Sequence, residues 1–193
     1  MARPQSPDYD KRRNSIVRVA ARLYARQGFN GASVADLAKA CRTSKSLIYH
    51  YFPAKDDVLY QVMAEHLDAL VEAAREATRS GTAEEKLRAL TLAFMRLYVG
   101  AQDSHKVLLN ELDNLSPAAR DDVVAKQRRV IALAEAILGE IAAPHDARVN
   151  AMLFFGMINW THTWFDPAGP VMPEALGMRV VDLMLKGLAP QAS

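Results

Sequence analysis

Between Ser33 and Lys55 two short helical patterns meet at a tight turn, and few folds accommodate such a pair. Ser33 offers an N-cap, answered by Asp36 three residues on, and the helix they open is expected to bury Val34, Leu37, Ala38 and Cys41. Ser44 caps the next helix, which ends before Pro53 because the residue preceding a proline is driven out of the helical region. Within it Ile48 and Phe52 share an i, i+4 face and belong to the core, so Lys45, Ser46 and Tyr49 project elsewhere. One helix packs while its neighbour carries hydrogen-bond donors, which is the layout of a helix-turn-helix.

Charge follows the same division. The net charge is only +2, yet residues 1–55 hold 11 Lys or Arg against 3 Asp or Glu, and the remainder holds 13 against 19. A basic first quarter joined to an acidic remainder implies that one end meets a polyanion and the other does not. Cys41 is the single cysteine, which excludes an internal disulfide and fits a reducing compartment. No run of apolar residues is long enough to span a bilayer and the start is polar and basic, so a soluble, cytoplasmic protein is expected.

The rhythm is helical along the whole chain, and half the residues are hydrophobic, enough for a sizeable core. Met1–Asp8, with two prolines, reads as a loose arm, and a first helix spans about Tyr9 to Gln27, followed by Gly28 as the residue after its end. After the helix-turn-helix the pattern predicts a long helix over Ala54–Arg79 and a fifth from Thr82, with Glu85 completing a capping box, to Gly100 or Ala101. Shorter and longer elements follow over Ser104–Leu115, Ser116–Ala142 and Asp146–Trp164; a loop over Phe165–Pro170 precedes a last helix from Pro173 to about Gly187. The expected fold is all α with nine helices: a three-helix head over residues 1–55 and a helical bundle over residues 56–193.

Over Arg12 to Leu59 the chain resembles the TetR family of transcriptional regulators. The likeness rests on Phe29 after Gly28, on the Val34–Ala40 helix, and above all on the string Ser44 to Phe52 followed by Lys55. The resemblance implies that Ser44 to Phe52 is a recognition helix and that Lys55 opens the fourth helix. It further implies that residues 1–55 are the DNA-binding domain and residues 56–193 the ligand-binding and dimerisation domain of a homodimer bound to double-stranded operator DNA, with repression and release by a small molecule. A second stretch, Phe155–Trp160 with Trp164–Pro170, is similar to regulators of fatty-acid, steroid and aromatic-acid breakdown, several of which sense acyl-CoA thioesters.

The candidate DNA contacts divide by chemistry. Lys45 has the charge and reach for a guanine edge, and Ser46 can serve base or phosphate. Tyr49, His50 and Lys55 match family positions on the DNA backbone, where contacts set register without reading sequence. Leu47 stands where the family often has Ser or Thr, and Tyr51 either packs on the first helix or touches DNA. Ser33, Thr43 and Ser44 lie at helix starts, where the helix dipole favours phosphate. Arg42 replaces the glycine usual at this turn; either the turn is of another type, or Arg42 offsets a strain of roughly 1 kcal/mol by touching phosphate.

At the other end the eighth helix has more apolar surface than one neighbour covers: Val149, Leu153, Gly156, Met157, Trp160 and Trp164 form one stripe. The ninth repeats the feature with Leu176, Val180, Met184 and Leu188. Family likeness implies that Leu153, Met157, Trp160, Trp164, Leu176, Val180 and Met184 meet a second subunit. Phe94, Tyr98, Leu109, Phe155 and Asn159 are candidates for lining an inducer pocket, although ordinary core packing reads the same way. Lys106, Arg128, Arg129 and Arg148 are the cations available for the phosphates of an acyl-CoA.

Catalysis finds no parts. No Glu stands three residues before any histidine, and there is no His-Glu-x-x-His, Cys-x-x-Cys, P-loop or Gly-x-Ser-x-Gly. No metal or cofactor is implied. The remaining alternative is a structural DNA-binding protein with no inducer, which has little use for so much apolar helix beyond the head.

Overall fold

The computed structural model describes residues 7–142 and 144–188, and these form nine α-helices without a strand. They are α1 (Pro7–Gln27), α2 (Val34–Ala40), α3 (Lys45–Tyr51), α4 (Lys55–Ala77), α5 (Ala83–Gly100), α6 (Gln102–Asn110), α7 (Pro117–Ile141), α8 (Ala147–Trp160) and α9 (Pro173–Leu188). Three 3-10 turns, Leu112–Asn114, Pro144–Asp146 and Thr161–Thr163, lie between them. None of the described helices is long and apolar enough to cross a membrane. The arm expected over Met1–Asp8 falls outside the described residues up to residue 6, while Pro7 and Asp8 already belong to α1.

The chain divides into two compact units, Met1–His66 with Asp103–Val123, and Leu67–Gln102 with Val124–Ser193. In the first, Ile16, Tyr24, Leu37, Ile48 and Leu59 are almost fully buried and form the core beneath the helix-turn-helix. Arg13 on α1 pins this core from one side. Its guanidinium lies 3.3 Å from Glu65 on α4 and 5.1 Å from the centre of the Phe52 ring that closes α3. Val34 and Cys41, expected to be buried with Leu37 and Ala38, are only half-buried, because the outer edge of a two-turn helix cannot turn fully inward. Deeper in the unit, His66 on α4 and His105 on α6 share a hydrogen bond of 3.1 Å between ring nitrogens. Burial pushes the His66 imidazole down to about 4, so that ring is held neutral.

In the second unit α5 packs along α9, and Gly177 permits the approach. A Cβ at that position would come within 2.9 Å of Met95 Cγ. The ion pairs Arg88–Asp182 (3.2 Å) and Arg96–Glu174 (3.3 Å) flank the same contact. Leu87, Leu90, Phe94, Met95, Phe154 and Ile158 fill the space beneath.

Two boundaries differ from the sequence expectation, each for a local reason. The sixth helix stops at Asn110, whose amide turns back to the Lys106 carbonyl (2.8 Å), and the remainder to Leu115 becomes a 3-10 turn. The eighth stops at Trp160 and not Trp164. There the Thr161 hydroxyl bonds the Ile158 carbonyl (2.6 Å), the His162 ring the Asn159 carbonyl (2.7 Å) and the Thr163 hydroxyl the Trp160 carbonyl (2.8 Å). Three successive side chains reaching back three residues tighten the chain from α to 3-10.

Candidate nucleic-acid interface

The recognition helix is built by its caps and its buried seam. Ser44 Oγ accepts from the Leu47 amide (3.1 Å), and Ile48 (1 % exposed) and Phe52 (3 %) anchor the inner face. With that face fixed, Ser44, Lys45, Ser46, Tyr49 and His50 are all exposed, and Leu47 is half-exposed beside them. Tyr51 turns the other way: its ring centre lies 4.5 Å from that of Tyr9 on α1, so of the two roles weighed for it the packing one is seen. His50 stands edge-on to both Tyr51 (5.2 Å) and Tyr9 (6.1 Å), which orients its imidazole while leaving it in solvent.

The turn between α2 and α3 shows which backbone conformation Arg42 adopts. Among the described residues it is the only non-glycine with positive φ, at 53°. The Arg42 amide bonds the Lys39 carbonyl (3.0 Å) and the Thr43 amide bonds the Ala38 carbonyl (2.9 Å). These two bonds make a Schellman ending, with Arg42 in the left-handed position that glycine usually fills. The turn is therefore of the ordinary type, the strain is present, and the guanidinium is exposed.

Ser33 and Lys55 are occupied within the subunit. Ser33 is the N-cap of α2: its hydroxyl accepts from the Asp36 amide (3.1 Å) and donates to the Asp36 carboxylate (2.5 Å), which also takes the Ser33 amide (2.9 Å). Those bonds hold the Asp36 carboxyl below its ordinary range. Lys55 points its ammonium at the Phe29 carbonyl (2.5 Å), 3.9 Å from the centre of the Phe29 ring. Partial burial lowers its proton affinity, and Glu111 opposes that shift through space.

The second unit gathers most of the other named residues. Phe94 stacks against Tyr98 (6.0 Å between ring centres) and lies 6.2 Å from Phe155. The Tyr98 hydroxyl donates to Asn159 Oδ1 (2.7 Å), and burial pushes its pKa far above the ordinary phenol value, so it stays protonated. Leu109, named with these four, belongs to the other unit. Of the cations considered for phosphate, Arg148 is taken by Glu135 (2.5 Å), while Lys106, Arg128 and Arg129 are exposed.

On the outer side of α8 and α9 the apolar surface is uncovered. Of the nine large hydrophobic residues exposed in the described chain, eight lie between Val149 and Leu183, including Leu153, Trp160 and Trp164. A groove of about 540 Å³ crosses this face between Leu153, Trp160, Trp164, Leu176 and Leu183, with Met157 along its wall. Val180 and Met184 are 6 % and 7 % exposed and point mainly into their own subunit, although Val180 still reaches the groove. Met152 and Leu183 were missed from sequence. Met152 stands three residues after Val149 and four before Gly156, and Leu183 seven after Leu176, so a strict helical count would have included both. Among the described residues no group of three or more His, Cys, Asp or Glu is placed to hold a metal ion.

Comparison with known proteins agrees with this layout. Residues 16–62 match the family model for bacterial regulatory proteins of the tetR family, and residues 80–188 match the tetracyclin repressor-like C-terminal domain. A TetR-family transcriptional regulator from Bordetella parapertussis 12822 is 39 % identical, covers 94 % of this chain and 97 % of its own, and superposes with a TM-score of 0.85. AibR, solved in complex with isovaleryl coenzyme A and operator DNA, is 26 % identical over 89 % of this chain and 97 % of its own, with a TM-score of 0.81. The transcriptional repressor KstR2 of Mycolicibacterium smegmatis is 26 % identical over 96 % of this chain and 95 % of its own length. These families and relatives are regulators and not enzymes. A helix-turn-helix with its polar face turned outward, ahead of a helical bundle matched over most of its length, makes the chain a DNA-binding transcriptional regulator of the TetR family.

Proposed function

We propose that the chain is a homodimeric repressor that binds a palindromic operator in the cytoplasm and is released from it by a small apolar ligand, an acyl-CoA thioester being the favoured class. The observation that carries this reading is the outward face of α3, where Lys45, Ser46, Tyr49 and His50 are exposed above a seam fixed by Ile48 and Phe52. Lys45 and Ser46 read base edges; Tyr49, His50, Arg42 and the Thr43–Ser44 helix start hold phosphates. Lys55 joins the phosphate contacts once its ammonium leaves the Phe29 carbonyl.

One helix-turn-helix reads few base pairs, so two copies must act together on successive major grooves, about 34 Å apart or a little more. The uncovered face of α8 and α9 supports the pairing. Trp160 and Trp164 are 64 % and 59 % exposed there, and a monomer seldom leaves so large an apolar patch in water. Gly156 lies in the middle of the face, and beyond its chain neighbours and the backbone of its own helix no atom comes within 4 Å of its Cβ position, which leaves room for a partner helix.

The ligand class draws support from the relatives, one solved with isovaleryl coenzyme A, and from the Phe94–Tyr98–Phe155 cluster with its single amide at Asn159. Such a cluster, apolar with one oriented polar group, has the chemistry that suits an acyl chain. The test is a gel shift on duplex DNA from the chain's own upstream region, challenged with a panel of CoA thioesters and their free acids. Retention of one sharp complex and its release by a thioester, but not by the corresponding acid, is the expected result. Release by none of the panel overturns the ligand class, and the absence of a specific complex overturns the operator.

A further inference from the structure

DNA binding through α3, the turn before it and Lys55 leaves the arginines of α1 without a task. Between Lys11 and Ala35 the chain has no acidic residue, so α1 is charged in one sense from its second turn onward. Arg18, Arg22 and Arg26 stand four residues apart, which places them on one face of α1, and all three are exposed. None of the three makes an ion pair or a hydrogen bond among the described residues. The exposed Arg79, Arg96, Arg120 and Arg148, by contrast, each hold a carboxylate. Beside this row the surface is hollow. A groove of about 380 Å³ runs between α1 and Ala40, the last residue of α2, lined by the half-buried Val19 and Leu23 and by the exposed Arg22 and Arg26. The two arginines are one helical turn apart, about 6 Å along the axis.

We infer that this groove is a docking site for an acidic amphipathic helix of a partner protein. Its two kinds of lining ask for different things. Val19, Leu23 and Ala40 gain from an apolar side chain that leaves water, and the unpaired guanidiniums gain from carboxylates, which they bind as a planar fork. An amphipathic helix with apolar anchors every three or four residues and Asp or Glu beside them supplies both from one rigid face. Carboxylates at its positions i and i+4 repeat the spacing of Arg22 and Arg26. Duplex DNA supplies only the second need. Its phosphates lie on a convex backbone with no side chain to enter a recess, and contacts to them gain nothing from an apolar lining. The inference stands apart from the operator and the inducer, and neither has to be known to test it.

The probe is a fluorescent helical peptide of about 18 residues, leucine along one stripe and glutamate elsewhere, added to the full-length protein. Its twin has lysine for every glutamate. Expected is binding of the glutamate peptide that becomes at least about tenfold weaker in Arg22→Glu combined with Arg26→Glu, while the lysine peptide changes in the opposite sense. Both arginines are exposed and unbonded, so the melting temperature should not move. With carbon-13 methyl labels, the Val19 and Leu23 resonances should shift on adding the glutamate peptide, while those of Leu153 and Leu183 on the α8–α9 face stay in place. A glutamate peptide that fails to bind, that binds parent and variant equally, or that shifts only Leu153 and Leu183 overturns the inference. A random-sequence duplex tests the rival polyanion. Unchanged binding of that duplex by Arg22→Gln combined with Arg26→Gln is the expected result. A salt dependence lowered by about two units of slope makes both arginines phosphate contacts and overturns the docking site. Failure to find a preferred upstream sequence refutes the operator and leaves these measurements intact.

Discussion

The outer faces of α3 and of α8–α9 are both left open by the fold, yet they are open in opposite ways. On α3 the exposed side chains are hydroxyls, an ammonium, a phenol and an imidazole, on a helix only seven residues long and fastened by Ile48 and Phe52. On α8 and α9 the large exposed hydrophobic side chains are Val, Met, Leu and Trp, on helices of 14 and 16 residues, with charged residues such as Arg179 and Asp182 exposed among them. A short polar helix cannot hold itself together and needs its cap and its anchors; what it gains is a face rich in directional donors. A long apolar face needs no donors, but it remains unfavourable in water until something covers it. Exposure alone therefore says little about function. The chemistry of the exposed atoms decides whether the partner is a polyanion or another apolar surface.

The comparison breaks most visibly if the apolar face is not an interface. Trp160→Arg combined with Trp164→Glu is expected to give a folded monomer by sedimentation, with operator binding weaker by about 100-fold or more as the second half-site is lost. An unchanged dimer would remove the role given to that face. The core beneath the head provides a control. Because burial holds His66 down to about 4, well below its ordinary 6.5, the unfolded chain binds the proton more readily between those values. Stability should be flat above pH 6.5 and fall as pH drops from 6.5 towards 4, by up to about 3 kcal/mol in all. Urea melts of His66→Gln across that range should lose this slope. If they keep it, the acid sensitivity belongs elsewhere.

Smaller effects sharpen the polar side. Lys45→Ala is expected to weaken operator binding by about tenfold and to relax specificity at one base pair, and Tyr49→Ala to weaken it by a few-fold on all sequences alike. Both side chains are exposed, so melting temperatures should not move. The smallest expected change is Arg42→Gly, which relieves the left-handed backbone and stabilises the fold by up to about 1 kcal/mol. If the guanidinium touches phosphate, the same variant lowers the salt dependence of DNA binding by about one unit of slope.

Most of the fold is legible in the residues because its signals are local. Ser33 with Asp36, Thr82 with Glu85, and Pro117 after Ser116 mark three helix starts to the residue, and Gly28 and Gly81 mark stops through their positive φ. The recognition helix is legible for the same reason: cap, seam and outward residues all fall within nine positions. Lys55 is different. Its sequence position says phosphate, while its ammonium lies against Phe29, because a residue 26 positions away supplies both the carbonyl and the ring. Tyr51 and Arg13 likewise take their roles from α1 and α4 partners that no local pattern announces. Where α8 ends was missed because three side chains, two threonines and a histidine, redirect the backbone through their own hydrogen bonds.

The chain's two tryptophans, Trp160 and Trp164, both stand on the open apolar face. Intrinsic fluorescence of the protein is consequently a gauge of that face alone. Emission should sit near the wavelength of water-exposed indole when the face is bare and move to the blue when it is covered. Dilution followed at this wavelength would thus read assembly directly, without a label and without disturbing the head.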